Sequence, residues 1–343
     1  MGNEKATATT GEQALAVLLS GGSLDRPQTE DLFGRLMDGE LSDVYKSALL
    51  VALRMKGESS AEIAGAAAAM RQRVVKIPHR GGPVVDTCGT GGDGRGTFNI
   101  STAAAFAAAA AGVPIAKHGN RSVSSQCGSA DVLEASGVSL ESSPEGAGRC
   151  LDEVGIAFLF APKLHPAMRE VMPVRRELGV RTVFNVLGPL TNPAGAKRQL
   201  LGVYSADLVE RIAEVLRRLG SEHALVVHGE GLDEITTTGS TRIAEVKEGE
   251  VTVFEVTPEE LGVPRATAED LAGGDAAHNA RLLRGVLEGS GGPLADVTAI
   301  NAGAAVYVGG KAPSLAAGIE AARRALAGGG ALEKLEALKA YEG

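Results

Sequence analysis

The sequence has no tryptophan, and aromatic residues make up only 3% of its 343 positions. The core must therefore consist mainly of aliphatic side chains, while 46 glycines predict many tight turns and close backbone contacts. Cysteine is also rare: Cys88, Cys127 and Cys150 show no C-x-x-C spacing, so neither a disulfide framework nor a zinc site is indicated. This cysteine usage suits a reducing cytoplasm.

An excess of basic residues is missing as well. Lysine and arginine total 34 against 42 acidic residues, which gives a formal net charge of −8. A nucleic-acid partner is therefore not expected. The alanine-rich run that begins at Ala103 is interrupted by Gly112 and Pro114, well short of a membrane span, and the first twenty residues lack a basic region followed by a sustained apolar core. We expect a cytoplasmic protein that does not associate with membranes.

Two patterns of secondary structure divide the chain. From Glu12 to Val75 apolar residues recur at helical spacing, which predicts four helices and no strand. Ser59 and Glu62 form a capping-box pattern at the start of one of them. After Pro78 strands alternate with helices, which predicts an α/β fold with a mainly parallel sheet. The predicted strands are 83–86, 113–117, 156–160, 199–204 and 223–228, and the predicted helices between them are 99–111, 130–136, 144–154 and 206–219.

The second half of the chain adds three predictions. Two helices between Lys163 and Leu187 interrupt the alternation. Alternating apolar residues from Arg242 to Val256 predict a hairpin that turns at Glu248-Gly249-Glu250. The remainder is helical, at about 275–288, 293–308, 314–327 and 331–341.

The stretch from Val84 to Thr102 contains a short apolar strand, a glycine-rich loop and the start of an alanine-rich helix. The loop glycines permit positive φ angles and bring backbone N–H groups close to an anion; they are Gly89, Gly91, Gly92, Gly94 and Gly96. Neighbouring hydroxyl groups and the positive end of the helix add further donors. We predict a phosphate-binding loop here, although such a turn is often only a tight connection.

This loop differs from two common phosphate-binding motifs. Gly89-x-Gly91-x-x-Gly94 has the dinucleotide spacing, but Asp93 would then place a carboxylate against a pyrophosphate. The Gly-Lys-Ser/Thr of the Walker loop is absent. An acidic residue at this point suggests either a ligand whose charge is screened by a divalent cation or a ribose beside the phosphates.

A second polar loop follows the next predicted strand. Residues 117–125 read Lys-His-Gly-Asn-Arg-Ser-Val-Ser-Ser and combine a cation, an imidazole, an amide, a guanidinium and three hydroxyl groups. Because the carboxyl ends of parallel strands meet at one edge of a sheet, we expect both loops to face one crevice. Their pairing favours a binding site over a plain polar surface loop.

These motifs, in this order, resemble the anthranilate phosphoribosyltransferase family. The resemblance rests on Gly89–Asp93, Asn99–Thr102, Lys117–Ser125 and Gly128–Asp131, and it continues through His165–Met168, Arg175, Asn185–Leu190 and Asp233–Glu234. It covers nearly the whole chain. It implies an enzyme of tryptophan biosynthesis that transfers the phosphoribosyl group of phosphoribosyl pyrophosphate (PRPP) to the amine of anthranilate, giving N-(5-phosphoribosyl)anthranilate and pyrophosphate.

The resemblance implies a fold of the nucleoside phosphorylase and phosphoribosyltransferase type. A small all-helical domain would comprise residues 1–78, completed by helices from about 163–190. A large α/β domain would comprise residues 79–162 and 191–343. The family also implies a homodimer formed through the helical domain, since a small helical layer rarely buries all its apolar faces alone.

The resemblance further assigns residues to the substrates. Those implied to bind PRPP are Gly89, Gly92, Asp93, Thr97, Asn99, Ile100, Ser101, Thr102, Lys117, His118, Gly119, Asn120, Arg121, Ser122, Val123, Ser124, Ser125 and Ser129. Arg175 would pair the anthranilate carboxylate, because a planar guanidinium suits it, with Gly89, His118 and Asn120 lining the ring. No general acid or base is assigned, because the aromatic amine is already a neutral nucleophile.

A metal site is implied at Asp233-Glu234, which follows a predicted strand. An isolated Asp-Glu pair is usually a solvated surface dipeptide. Beside a phosphate loop, however, its oxygens can bind Mg²⁺, which takes one or two carboxylates together with water and phosphate. The family implies two Mg²⁺ ions per subunit, with Ser101 and Glu234 at one and Asp233 and Glu234 at the other.

Three other functions compete with this one. A pyrimidine nucleoside phosphorylase has a related fold, but it would lack the Asp233-Glu234 motif, and its phosphate loop has a different sequence. A silent homologue that binds nucleic acid would need basic faces and the loss of Lys117 or the acid pair. A nicotinamide dehydrogenase is opposed by Asp93 and by the lack of an acidic ribose-binding residue after a following strand.

Overall fold

The structure is a computed structural model that describes residues 10–122 and 126–341. The helices are α1 (Gly11–Leu19), α2 (Arg26–Met37), α3 (Asp43–Lys56), α4 (Ser60–Gln72), α5 (Ile100–Ala110), α6 (Ser129–Ala135), α7 (Pro144–Val154), α8 (Ala161–Leu164), α9 (Met172–Leu178), α10 (Phe184–Leu187), α11 (Val209–Arg218), α12 (Ala276–Leu287), α13 (Pro293–Val308), α14 (Leu315–Ala327) and α15 (Gly330–Ala340). The strands are β1 (Val85–Gly89), β2 (Ile115–Gly119), β3 (Ile156–Phe160), β4 (Arg198–Gly202), β5 (His223–Gly229), β6 (Thr241–Lys247) and β7 (Glu250–Val256). Short 3₁₀ turns lie at Pro166–Glu170, Gly188–Leu190, Ala206–Leu208 and Glu269–Leu271.

The chain divides into two compact units. A helical unit contains the residues up to Val74 together with His165–Thr191, and an α/β unit contains Val75–Leu164 and the residues from Asn192 onward. The chain therefore passes from one unit to the other three times. No helix of the described residues is long and apolar enough to cross a membrane.

The helical unit begins with the four helices that the apolar spacing predicts. The capping box at α4 is present, since Ser59 and Glu62 each accept a hydrogen bond from the other's backbone N–H. Glu62 also accepts hydrogen bonds from the Leu24 backbone N–H at 3.0 Å and from Lys56 Nζ at 2.8 Å. These partners satisfy a carboxylate that is fully buried.

The segment that follows α8 contains the two predicted helices as α9 and α10, and both are short. Prolines at 166, 173 and 189 each lie in the first turn of a helical segment, and Gly179, with a φ angle of 62°, ends α9. These pieces pack within the helical unit. The Phe184 ring lies 5.8 Å from the Phe33 ring, and Lys46 Nζ donates to the Glu170 carbonyl at 2.8 Å.

The α/β unit contains a seven-stranded sheet with the order β3-β2-β1-β4-β5-β6-β7. The first five strands in this order are parallel, whereas β6 and β7 are antiparallel and form the predicted hairpin. Glu248 and Gly249 make its two-residue turn with φ angles of 53° and 82°, as a type I′ turn requires. The mainly parallel sheet flanked by helices is thus confirmed.

The sheet order places the site. Strand order reverses between β1 and β4, and in such sheets ligands bind beyond the carboxyl ends of the strands at this point. Between residues 103 and 109, α5 consists of alanines and Phe106, and all of these side chains are buried. Small side chains let α5 pack closely against the sheet, so its N-terminus is fixed at the edge where β1 and β2 end.

Candidate active site

The glycine-rich loop joins β1 to α5 at the carboxyl edge of the sheet. Four of its glycines, Gly91, Gly92, Gly94 and Gly96, have positive φ angles of 63–77°, which side chains rarely adopt. Gly89 does not, but a Cβ atom at this position would collide with the Asp233 carboxylate. Glycine is therefore required for two different reasons. The four glycines have left-handed backbone, and at Gly89 the Asp233 carboxylate lies too close for a side chain.

Backbone contacts hold this loop in place. Thr90 N–H donates to the Gly202 carbonyl at 2.9 Å and Phe98 N–H donates to the Leu271 carbonyl at 3.0 Å. The Thr90 hydroxyl accepts from Tyr204 N–H at 3.0 Å. The ends of β1 and β4 are thereby tied together at the point where strand order reverses.

The acid pair lies directly against the loop. Asp233 Oδ2 accepts a hydrogen bond of 2.7 Å from Gly91 N–H, and Glu234 Oε1 accepts one of 3.0 Å from Ser101 N–H. Burial, with repulsion from Asp93, raises the pKa of Asp233 to about 6. Burial and the neighbouring Asp233 also raise the pKa of Glu234. Ionisation of this pair is therefore costly without a cation beside it.

These donors fit a divalent cation. Carboxylate oxygens and the Ser101 hydroxyl are the hard ligands that Mg²⁺ prefers, and a cation would relieve the repulsion that raises the carboxyl pKa values. In the described ranges, no group of three or more His, Cys, Asp or Glu side chains is placed to hold a metal ion. Water or ligand phosphate oxygens would therefore have to complete the coordination shell.

Lys117 lies in β2 and is buried, with a relative exposure of 3%. Its Nζ donates to the Thr87 carbonyl and, at 3.2 Å, to Ser101 Oγ. Burial lowers the pKa of Lys117, while nearby Asp86 opposes this shift. The ammonium therefore lies beneath the Ser101 hydroxyl, where it links the end of β1 to the first turn of α5.

Asp86, near the start of β1, is the buried acid next to Lys117. Its Oδ1 accepts from His118 N–H at 3.1 Å and its Oδ2 accepts from Asn192 Nδ2 at 2.8 Å. Burial raises its pKa to about 6. Asp86 thus links β1 to β2 and to Asn192, which lies in the loop before β4.

The second predicted loop begins at the end of β2. Its Arg121 guanidinium pairs with Asp131 at 3.1 Å and Glu134 at 2.8 Å in α6. Asp131 Oδ2 also accepts hydrogen bonds from Ser122 N–H at 3.0 Å and Gly128 N–H at 2.8 Å. The side chain of Arg121 is therefore engaged by α6, although the sequence suggested a role at the phosphates.

The remaining predicted PRPP residues fall into three groups. A first group lies at the end of β2, on the two loops or at the first turn of the following helix, and comprises Gly92, Asp93, Thr97, Asn99, Ser101, Gly119, Asn120 and Ser129. Ile100 and Thr102 are buried, and the Thr102 hydroxyl finds no hydrogen-bond partner within the described residues. Val123, Ser124 and Ser125 lie outside the described residues.

Arg175 belongs to the helical unit, on α9. Its guanidinium lies 5.5 Å from the centre of the Phe184 ring, and its Nη1 is 3.9 Å from Met172 Sδ. Burial lowers its pKa, and no carboxylate of residues 10–122 or 126–341 contributes to that shift. A half-buried guanidinium without an acidic partner is suited to bind the carboxylate of a ligand.

Two buried asparagines near the site were missed by sequence reasoning. Asn279 donates to Asn99 Oδ1 at 2.9 Å. Asn301 accepts from Ile235 N–H at 3.0 Å and donates to the Ile235 carbonyl at 2.8 Å, so it holds the residue that follows the acid pair. The only sequence signal was an amide at a position that shares a helix face with apolar residues, since the contacts span 66 and 180 residues.

Family models match both units of the chain. Residues 12–74 match the helical bundle domain of the glycosyl transferase family, and residues 81–332 match the a/b domain of that family. Proteins named anthranilate phosphoribosyltransferase are similar over most of their length. One from Anaeromyxobacter dehalogenans is 54% identical over 96% of this chain and 98% of the relative, and one from Rubrobacter xylanophilus is 54% identical over 94% and 95%.

Solved structures give the same result. The crystal structure of anthranilate phosphoribosyltransferase from Thermus thermophilus is 50% identical, with a TM-score of 0.91 over 96% of this chain and 98% of that one. The enzyme from Saccharomyces cerevisiae in complex with PRPP and Mg is 28% identical, with a TM-score of 0.86 over 96% of each chain. A complex of the yeast enzyme with 4-fluoroanthranilate has a TM-score of 0.84 at 26% identity and covers 96% of this chain and 98% of that one.

Proposed function

This chain belongs to the anthranilate phosphoribosyltransferase family, so its reaction is phosphoribosyl transfer from PRPP to anthranilate in tryptophan biosynthesis, and we propose that the loops described above carry it out. The glycine-rich loop, the loop after β2 and the acid pair would bind PRPP and its metal. The observation that carries this proposal is the pair of hydrogen bonds from Gly91 and Ser101 to Asp233 and Glu234. These contacts bring a phosphate loop and two hard carboxylate donors to one place.

The reaction displaces pyrophosphate from C1 of the ribose through a transition state with oxocarbenium character. The protein has to position the amine, neutralise the leaving group and exclude water. Loop glycines without Cβ atoms let a phosphate approach the backbone closely, and the N-terminus of α5 adds its dipole. Mg²⁺ bound through Asp233, Glu234 and Ser101 would supply positive charge to the departing pyrophosphate.

We further propose two Mg²⁺ ions per subunit. Ser101 and Glu234 would bind one ion, and Asp233 and Glu234 the other, with both carboxylates side by side at the loop. The structure of the yeast relative is one in complex with PRPP and Mg. Two cations would offset most of the negative charge of the acid pair and the pyrophosphate group.

Arg175 is our candidate for the anthranilate carboxylate, with His118, Asn120 and Gly89 at the ring. Its lack of an acidic partner among the described residues supports this role. Because the aromatic amine attacks as a neutral nucleophile, its proton can leave after the C–N bond forms. No residue of the chain has to generate the nucleophile.

We propose that the chain forms a homodimer through its helical unit and acts in the cytoplasm. Large apolar side chains are exposed on α1 and α3, with Leu19 at 72%, Val44 at 80% and Met55 at 83% exposure. Such residues are typical of a protein interface. The three free cysteines are compatible with a reducing compartment. A monomeric mass in sedimentation at micromolar concentration would refute the dimer.

The proposed reaction is tested with a panel of acceptors. The protein is mixed with PRPP, Mg²⁺ and either anthranilate, a pyrimidine base or nicotinamide, and released pyrophosphate is measured. We expect release only with anthranilate. Phosphorolysis of a pyrimidine nucleoside by the same protein, without pyrophosphate release, would instead favour the related phosphorylase activity.

A further inference from the structure

Asn279 lies in α12 and is 1% exposed. It shares the buried face of this helix with Leu283 and Val286. An amide on such a face is costly unless both its ends are hydrogen-bonded. Both ends have partners: Oδ1 accepts from Gly274 N–H at 2.7 Å, and Nδ2 donates to Asn99 Oδ1 at 2.9 Å.

The direction of these bonds is fixed by chemistry. A backbone N–H can only donate, so the oxygen of Asn279 must face Gly274 and its NH₂ group must face Asn99. The oxygen of Asn99 must then face Asn279. The Cys127 carbonyl can only accept, and it receives Asn99 Nδ2 at 3.2 Å. Gly274 N–H, acting through Asn279, and the Cys127 carbonyl therefore each require the same orientation of the Asn99 amide.

The Cys127 side chain supports the same orientation. Its Sγ lies 3.5 Å from Asn99 Oδ1. Burial raises the pKa of Cys127 to about 11, so the thiol keeps its proton near neutral pH and acts as a donor. The oxygen of Asn99 therefore accepts from Asn279, and it is one of two acceptors within reach of the single Cys127 S–H, the other being the Gly128 carbonyl at 3.6 Å.

This arrangement determines what Asn99 can offer to a ligand. Asn99 precedes α5, but its side chain makes no capping hydrogen bond to that helix. Its oxygen is already used, whereas its NH₂ group carries two hydrogens, of which the Cys127 carbonyl takes one. Asn99 can therefore present its second N–H as a donor, which an oxyanion of a phosphate accepts.

We propose that Asn279 is a positioning residue for PRPP, which fixes the amide of Asn99 so that its N–H group faces the phosphate oxyanions. This inference rests on the proposed function, in which Asn99 belongs to the PRPP site. Asn279 acts through Asn99 and has no role toward anthranilate. Its effect should therefore be confined to one of the two substrates.

The test uses Asn279→Asp in a double-mutant cycle with Asn99→Ala. The carboxylate keeps an acceptor for Gly274 N–H but replaces the donor toward Asn99 with an oxygen, so Asn99 has to turn its own NH₂ group inward. We expect the KM for PRPP to rise at least about tenfold, as expected for loss of a hydrogen bond to a charged group, with the KM for anthranilate changed less than about twofold. His278→Asp is the control, because it adds the same charge one residue away.

The outcomes distinguish the positioning role of Asn279 from the assignment of Asn99 to the PRPP site. The inference is supported if Asn99→Ala also raises the KM for PRPP and the double variant is no worse than Asn99→Ala alone. Additive effects, equal changes for both substrates, or the same change in His278→Asp would overturn it. If Asn99→Ala leaves the KM for PRPP unchanged, the assignment of Asn99 in the proposed function is wrong and the inference falls with it. The unchanged KM for anthranilate also serves as the measure that the variant is folded.

Discussion

The carboxylate of Glu234 accepts a hydrogen bond of 3.0 Å from the backbone N–H of Ser101, the second residue of α5. The helix N-terminus favours the charged form of this carboxylate, although burial and the neighbouring Asp233 raise its pKa above the ordinary value. The acid motif and the phosphate loop are therefore one structural feature, although 133 residues separate the two partners in sequence. A ligand that binds the loop has to meet the carboxylates as well.

Replacing the acid pair tests its role in metal use. Asp233→Asn with Glu234→Gln keeps oxygen acceptors for Gly91 and Ser101 but removes both charges. We expect the Mg²⁺ concentration for half-maximal activity to rise at least about tenfold, and chelation to abolish the activity of the unmodified protein. Thermal stability should stay equal or rise, because buried carboxylates whose pKa values are raised cost stability at neutral pH. Full activity of this variant at ordinary Mg²⁺ would refute the assignment.

Arg175→Ala tests the anthranilate site. We expect the KM for anthranilate to rise by one or two orders of magnitude, which corresponds to the roughly 1.5–3 kcal/mol of a charge-assisted contact. The KM for PRPP should change little. Arg176→Ala, one residue along and exposed, is the matched control. A larger defect for PRPP in steady-state kinetics would mean that Arg175 binds phosphate.

Lys117→Met should affect PRPP more than anthranilate, the reverse of Arg175→Ala. It removes the ammonium beneath Ser101 but keeps most of the side-chain volume, so the KM for PRPP should rise more than the KM for anthranilate. The variant also leaves the Thr87 carbonyl without its buried donor, which costs about 1–3 kcal/mol in the free energy of unfolding. Kinetics and urea unfolding of the same preparation measure both effects. Equal increases in the two KM values would contradict the prediction.

His165 should make stability depend on pH. Burial lowers its pKa to about 4, so between this value and the ordinary pKa of about 6.5 the unfolded chain binds more protons than the folded one. The free energy of unfolding should therefore fall as the pH is lowered, by about 1 kcal/mol from this group between about pH 7.5 and 5.5. His165→Gln should lose that part of the dependence, and His278→Gln should retain it. An unchanged pH dependence in His165→Gln would refute this origin.

Local sequence patterns predicted most of the fold. The capping box at Ser59 and the hairpin turn at Gly249 involve residues a few positions apart, and both were correct. The two helices predicted after Lys163 are present as α9 and α10, but apolar spacing did not show how short they are. Left-handed Gly179 ends α9, and Gly188-Pro189 directly follows α10.

The site was only partly predictable for a physical reason. Glycines of the phosphate loop could be recognised because a left-handed backbone leaves a residue-type signature. The partners of Arg121 in α6 and the contact between Asn279 and Asn99 depend on the packing of helices onto the sheet. Sequence spacing carries no information about such contacts. The pairing of the Arg121 side chain with Asp131 and Glu134 could therefore not be predicted, and the role of Arg121 toward PRPP stays a prediction.

Anthranilate fluorescence tests the proposed reaction most directly. The protein is mixed with anthranilate, PRPP and Mg²⁺, and the fluorescence is followed against mixtures that lack one component each. We expect loss of fluorescence only in the complete mixture, with one pyrophosphate released for each anthranilate consumed. Unchanged fluorescence in the complete mixture, with protein shown to be folded, would contradict phosphoribosyl transfer to anthranilate by this chain.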